Sequence, residues 1–263
     1  MRVTFHGVRG SSPASGAAFV RTGGHTSCLA ISEGDALPTL VLDAGSGLHH
    51  LGARFGSTPF RGVILLTHLH WDHVHGLPFF TAADRVGSEV VVAQPAQGDP
   101  LALLRQVMSP PHFPITPEDL DGHWTHLALE PGRHRLGGFD VVAREVTHKG
   151  GRAYGYRVED DAGTVCCYVP DALDDNDEAI AALAADADLM VRGTPFVASE
   201  AERAATYGHG TMEHAIDVAR RCGARRLVLT HHSPSRTDDA LDAAAARLGV
   251  ELAREGLAID VGH

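Results

Sequence analysis

The order of apolar and polar positions predicts short strands alternating with helices. Val3–Val8, Ser27–Ser32 and Thr39–Leu42 are brief runs rich in Val, Ile, Leu and Phe, cut by Gly and Pro, and read as strands. Gly47–Phe55 reads as a short helix. Val63–Thr67 is wholly apolar up to its final threonine, which predicts a buried strand. Glu89–Ala93 follows as a strand, Leu101–Met108 as a helix, and the proline-rich Ser109–Pro117 as a loop or lid. Strands resume at Thr125–Leu129, Phe139–Val146, Tyr154–Glu159 and Thr164–Val169. A helix is expected over Asn176–Ala185 and a strand over Leu189–Val191. Thr211–Cys222 places Ala215, Ile216, Val218 and Ala219 on one helical face. Arg226–Thr230 reads as a strand, Asp238–Leu248 as a helix capped by Thr237, and Leu257–Val261 as an edge strand. This order suits an α/β fold with two packed sheets and helices outside, although order alone leaves the topology open. No linker, repeat or low-complexity tract interrupts residues 1–263, so one domain is expected.

Composition narrows the function. At 44% hydrophobic residues, the 263-residue chain can build a large core without disulfides. A net charge of -11 disfavours tracking a long nucleic acid, which requires clustered Lys and Arg. Cys28, Cys166, Cys167 and Cys222 form no C-x-x-C pair, and adjacent Cys166 and Cys167 should point to opposite faces of a strand. Neither a signal peptide nor a bilayer-spanning run is visible, so a cytoplasmic location without membrane association is expected.

The 18 histidines direct attention to metal chemistry. Thr67-His68-Leu69-His70-Trp71-Asp72-His73 leaves the buried strand as H-x-H-x-D-H. In extended backbone, residues two apart share a side, so His68, His70 and Asp72 converge, with His73 following at the turn. Imidazole and carboxylate donors suit zinc, manganese or iron. His148, Asp171 and His231 each lie just beyond a predicted strand, and His209 sits between two glycines before a helix. Any one alone is compatible with a cap or turn. Together they match the needs of a binuclear centre.

These residues resemble the metallo-β-lactamase superfamily over nearly the whole chain. The resemblance implies an αββα four-layer sandwich with two mixed sheets. It also implies that His68, His70 and His148 hold one metal, that Asp72, His73 and His231 hold a second, and that Asp171 bridges them. The stretch Leu227-Val228-Leu229-Thr230-His231 favours His231 over His232 as the ligand. Within the superfamily, Gly7-Val8-Arg9-Gly10-Ser11-Ser12-Pro13, Gly23-Gly24-His25-Thr26-Ser27-Cys28 and Gly208-His209-Gly210-Thr211 resemble motifs of the phosphodiesterase branch, which includes ribonuclease Z and cyclic phosphodiesterases. His25 stands where that branch has Asn, and Gly210 where it has Ser.

The resemblance implies two divalent ions, zinc first, that lower the pKa of a bound water towards roughly 7 for attack on phosphorus. Asp72 and His209 are the expected catalytic residues, the latter near the leaving oxygen, and His25 and Thr211 the expected substrate contacts. No insertion resembles the arm with which ribonuclease Z grips transfer RNA. A small cyclic or nucleotide phosphodiester is therefore the expected substrate, and a homodimer is left open. His6, His49, His50, His112, His123, His126, His134 and His263 show no ligand-like spacing and read as surface or loop residues, while Lys149 and Arg152 flank a candidate ligand. A lactone, β-lactam or thioester hydrolase would use the same centre. A non-catalytic metal-binding protein is the alternative of a different class.

Overall fold

The computed structural model describes residues 1–174 and 177–262. Strands β1 (Arg2–Gly7), β2 (Cys28–Ser32), β3 (Leu40–Leu42), β4 (Arg61–Leu65), β5 (Glu89–Pro95) and β6 (His123–Leu129) belong to one sheet. Strands β7 (Gly132–Leu136), β8 (Phe139–Val146), β9 (Ala153–Glu159), β10 (Val165–Val169), β11 (Leu189–Gly193), β12 (Leu227–Thr230) and β13 (Glu251–Leu252) form a second, and β14 (Ala258–Asp260) returns to the first beside β1. The orders are β14-β1-β2-β3-β4-β5-β6 and β13-β12-β11-β10-β9-β8-β7. Both sheets are mixed. β14, β1, β2 and β3 pair antiparallel, then β3 to β6 parallel; β7 to β10 pair antiparallel, then β10 to β13 parallel.

Strand alternation explains the layering. On the inner faces Phe5, Ile31, Leu42 and Leu65 meet Val141, Tyr156, Tyr168 and Val191 in a core between the sheets. Alternate residues Ala30, Val41, Ile64 and Val92 face outward beneath α1 (Gly47–Ala53) and α3 (Pro100–Arg105). Behind the second sheet, Cys167, Val169 and Met190 pack on α4 (Asp177–Ala184) and α6 (Met212–Arg221), while α7 (Asp238–Leu248) covers Leu229 and Leu252. Cys166 joins the inter-sheet core and Cys167 the outer one, as the strand period requires. The result is the expected αββα sandwich.

Most predicted elements shift by a residue or two. The predicted helix start at Asn176 lies outside the described residues, as does His263. His6, expected at the surface, is buried on β1. No helix among the described residues is long and apolar enough to cross a membrane.

Candidate metal centre

The two sheets bring five strand ends together. β4 runs into His68 and His70, and then into the one-turn helix α2 (Trp71–Val74), whose first turn carries Asp72 and His73. β8 leads to His148, β10 to Asp171, β12 to His231, and β3 to Asp43. These are C-terminal strand ends, where parallel strands deliver their loops to one edge.

The side chains form two linked groups. In the first, His68 Nε2 lies 2.9 Å and His148 Nε2 3.2 Å from His70 Nδ1. In the second, His73 Nε2 lies 3.3 Å from His231 Nε2 and 3.2 Å from Asp72 Oδ2. Asp171 spans both. Its Oδ2 faces His148 Nε2 at 3.4 Å and His68 Nε2 at 3.7 Å, and its Oδ1 faces His231 Nε2 at 3.0 Å and His73 Nε2 at 3.7 Å. Donors bound 2.0–2.1 Å from a tetrahedral ion lie about 3.3 Å apart, so these spacings could accommodate divalent cations. Asp171 Oδ1 is buried without a hydrogen-bond partner, as an atom reserved for a cation would be. The residues present fit the group that the fold implies.

Hydrogen bonds behind the cluster orient the rings. Asp43 Oδ2 accepts from His73 Nδ1 at 2.8 Å, and the Gly208 carbonyl accepts from His148 Nδ1 at 2.7 Å, which leaves each Nε2 free to coordinate. Asp43 also accepts from Thr67 N at 2.7 Å, Thr67 Oγ1 at 2.9 Å and Tyr168 Oη at 2.9 Å. Ser11 N donates to Asp72 Oδ2 at 2.7 Å. Gly10 is required beneath this turn, since a Cβ there would meet the His231 ring at 2.2 Å. Among the described residues four non-glycine positions have positive φ. Three of them, Ser11 (62°), Asp43 (62°) and His231 (57°), lie at the cluster, so backbone strain is concentrated there.

Electrostatics follows from burial and neighbours. Burial opposes charge on Asp72, but His73 and His231 outweigh it and hold the carboxyl well below the usual range. Asp171 is likewise lowered, burial being overcome by His231 and His73. His73 is raised despite its burial, because Asp72, Asp43 and Asp171 surround it. Burial and the neighbouring His73 push His68 down, and burial with His148 lowers His70.

All seven expected ligands therefore come together. His209 joins them, with Nδ1 3.9 Å from Asp171 Oδ2, buried and unpaired. Thr211 is nearby, but its hydroxyl donates to Asp174 Oδ2 at 3.1 Å. His25 is held elsewhere: its Nδ1 lies 3.1 Å from Ser46 Oγ and its ring packs on His50, centroids 4.0 Å apart. His232 is buried against the Ala253 carbonyl at 2.9 Å, behind the cluster. Asp43, Tyr168 and Asp174 escaped the reading of the sequence. Only Asp43-Ala44-Gly45, an acidic turn after a buried strand, carried a signal.

Comparison with known proteins places the fold in a family. The family model described as "Beta-lactamase superfamily domain" matches residues 39–232. The chain is 28% identical to ribonuclease Z of Haloarcula marismortui over 89% of its own length and 86% of the relative. It is 30% identical to ribonuclease Z of Halorubrum lacusprofundi, over 91% and 89% respectively. Among solved structures, the metallo-beta-lactamase fold protein YhfI from Bacillus subtilis aligns with a TM-score of 0.75 at 20% identity, covering 98% of this chain and 99% of that one. The short form of human tRNase Z aligns at 0.72 and 22% identity over the full length of both.

Proposed function

Because the chain belongs to the β-lactamase superfamily and is related to ribonuclease Z, we propose that it is a binuclear metal-dependent phosphodiesterase acting on a small cyclic or nucleotide phosphodiester. The observation that carries the reading is Asp171, which turns one oxygen to His68 and His148 and the other to His73 and His231. His68, His70 and His148 would hold one ion, Asp72, His73 and His231 the other, and Asp171 both. Zinc suits these donors, with manganese or iron as alternatives. Divalent ions so held supply Lewis acidity, which acidifies bound water and withdraws charge from phosphoryl oxygens.

The chain's own groups do the rest. Asp72, fixed by Ser11 N, orients the attacking water. Water adds across one P–O ester bond, giving a phosphomonoester and an alcohol. His209, whose Nδ1 lies 3.9 Å from Asp171 Oδ2, would face the leaving oxygen. Burial pushes its imidazole down to about 3, so at neutral pH it offers a hydrogen bond from a neutral ring rather than a proton from an imidazolium. The net charge of -11 supports a small substrate over a long RNA.

The test is turnover of bis(p-nitrophenyl) phosphate by protein loaded separately with zinc and manganese, with Asp171→Ala as control. Metal-dependent release of nitrophenolate, reduced at least a hundredfold in the control, is expected. No turnover with two ions bound would move the reading to a lactone, β-lactam or thioester. Failure to retain an ion would leave a non-catalytic protein.

A further inference from the structure

Two adjoining cavities border the cluster and share Val74, Leu104, Gln106 and Val107. His68 and His70 border a small one reached by Lys149, Gly150, Gly151 and Arg152. Asp72 and Ser11 border the other, of about 530 Å³. Its wall is apolar: Leu77, Leu104, Val107 and Met108 line it, and Trp71, Phe79 and Phe113 stand around it. Trp71 is 74% exposed and Phe79 50% exposed, an unusual cost for large apolar groups beside a catalytic cleft. Phe79 and Phe113 meet edge to face with centroids 5.9 Å apart. Phe113 comes from the proline-rich Ser109–Pro117 segment, which is thereby tied to the site. Ser12, His75, Gln106 and His112 supply hydrogen-bonding groups among the apolar ones.

Resting on the phosphodiesterase reading above, we infer that this cavity is a subsite for a planar aromatic substituent, such as a nucleobase, carried by the scissile diester. Three facts argue for this occupant. The cavity shares Asp72 with the metal cluster, so a group in it is covalently reachable from the reacting phosphorus. Its volume lies in the range of small-ligand pockets. Exposed indole and phenyl rings gain from stacking on a π-face, which a bare sugar phosphate lacks. The substrate is thus an aryl- or base-bearing diester rather than a cyclic phosphate of a plain sugar.

The experiment compares phenyl p-nitrophenyl phosphate with methyl p-nitrophenyl phosphate on the zinc-loaded protein. Both lose the same nitrophenolate. The ratio of their kcat/KM values is normalised to their ratio in alkaline solution, which removes intrinsic reactivity. A normalised preference for the phenyl ester of tenfold or more is expected, falling at least threefold in Phe79→Ala and in Phe113→Ala. A normalised ratio near one, or a preference unmoved in both variants, overturns the subsite. If neither ester is hydrolysed with metal bound, the phosphodiesterase reading fails and the subsite is judged by binding alone. Diphenyl phosphate, but not dimethyl phosphate, should then quench the emission of Trp71, with Trp71→Phe as the blank. Absence of that quenching overturns the subsite independently of turnover.

Discussion

Asp43 bears on the candidate metal centre without being one of its proposed ligands. Its fully buried carboxylate accepts four hydrogen bonds, from Thr67 N, Thr67 Oγ1, Tyr168 Oη and His73 Nδ1. Asn at this position keeps one acceptor oxygen and turns an N–H₂ towards the others. The His73 proton is then freed to move to Nε2, where it competes with the ion. Asp43→Asn should weaken binding at the Asp72, His73 and His231 group by about 10- to 100-fold, leaving the His68, His70 and His148 group much less affected. Stepwise metal competition against a chromophoric chelator reads both affinities. An unchanged second affinity would mean that packing alone orients His73. At this scale the convergence of the candidate ligands was legible, because H-x-H-x-D-H follows an apolar strand, but its cause was only half read: the motif lies beyond β4, and Asp72 and His73 are set by the turn of α2 rather than by a strand period. The supports behind the candidate ligands were not legible, since Asp43 and Tyr168 are 125 residues apart and only the fold joins them. Gly210 shows the same limit. As a sequence it is a motif serine lost. In the structure a Cβ there would lie 2.0 Å from Asp174 Oδ1, so the carboxylate takes the space that a serine side chain would need.

Elements were legible in proportion to how much of each is buried. β4 and β10 are apolar runs and were found; β7, Gly132–Leu136, carries Arg133, His134 and Arg135 at a sheet edge and has no buried residue, so no pattern marked it. α5 (Ala201–Tyr207) buries only Ala204 and shows no apolar face. One helix start, that of α7, was read from its capping side chain, Thr237, whereas the cap of α3, Asp99, was not. Asp99 accepts from Ala102 N at 2.7 Å at the start of α3, and Thr237 accepts from Ala240 N at 3.3 Å at the start of α7. α7 continues behind Thr237 with Asp238, whose carboxylate receives Arg21 N and Thr22 N at 2.8 and 3.1 Å and thereby ties the helix to the loop after β1. Thr237→Ala should cost about 1 kcal/mol through loss of the cap alone. Urea unfolding gives the value. A loss near zero would show that the Asp238 anchor suffices to hold the first turn.

For the whole molecule, each half of the chain builds an antiparallel set followed by a parallel set, and the two resulting sheets turn their strand ends to one edge. Strand order in sequence does not reveal which strands pair, so this repetition of topology left no trace as a sequence repeat. The folded whole also imposes protonation states that no single segment would. His6 lies on β1 beneath α1, with its Nε2 buried and unpaired. Burial, with Arg54 and His50 adding to the cost of charge, pushes its imidazole from an ordinary 6.5 down to about 4. The unfolded chain therefore binds the His6 proton below about pH 6.5, whereas the folded chain resists it until about pH 4. A depressed folded pKa gives stability that is present above pH 6.5 and lost as pH falls towards 4. By linkage the loss amounts to about 2 kcal/mol at pH 5 relative to pH 8. His6→Gln removes the titration without adding charge, so its unfolding free energy should fall between those pH values by about 2 kcal/mol less than that of the parent. Comparing the two proteins cancels the clustered histidines and carboxylates of the candidate metal centre, which titrate in both. Equal losses would mean that His6 takes up its proton inside the fold, and that the space beneath α1 admits water.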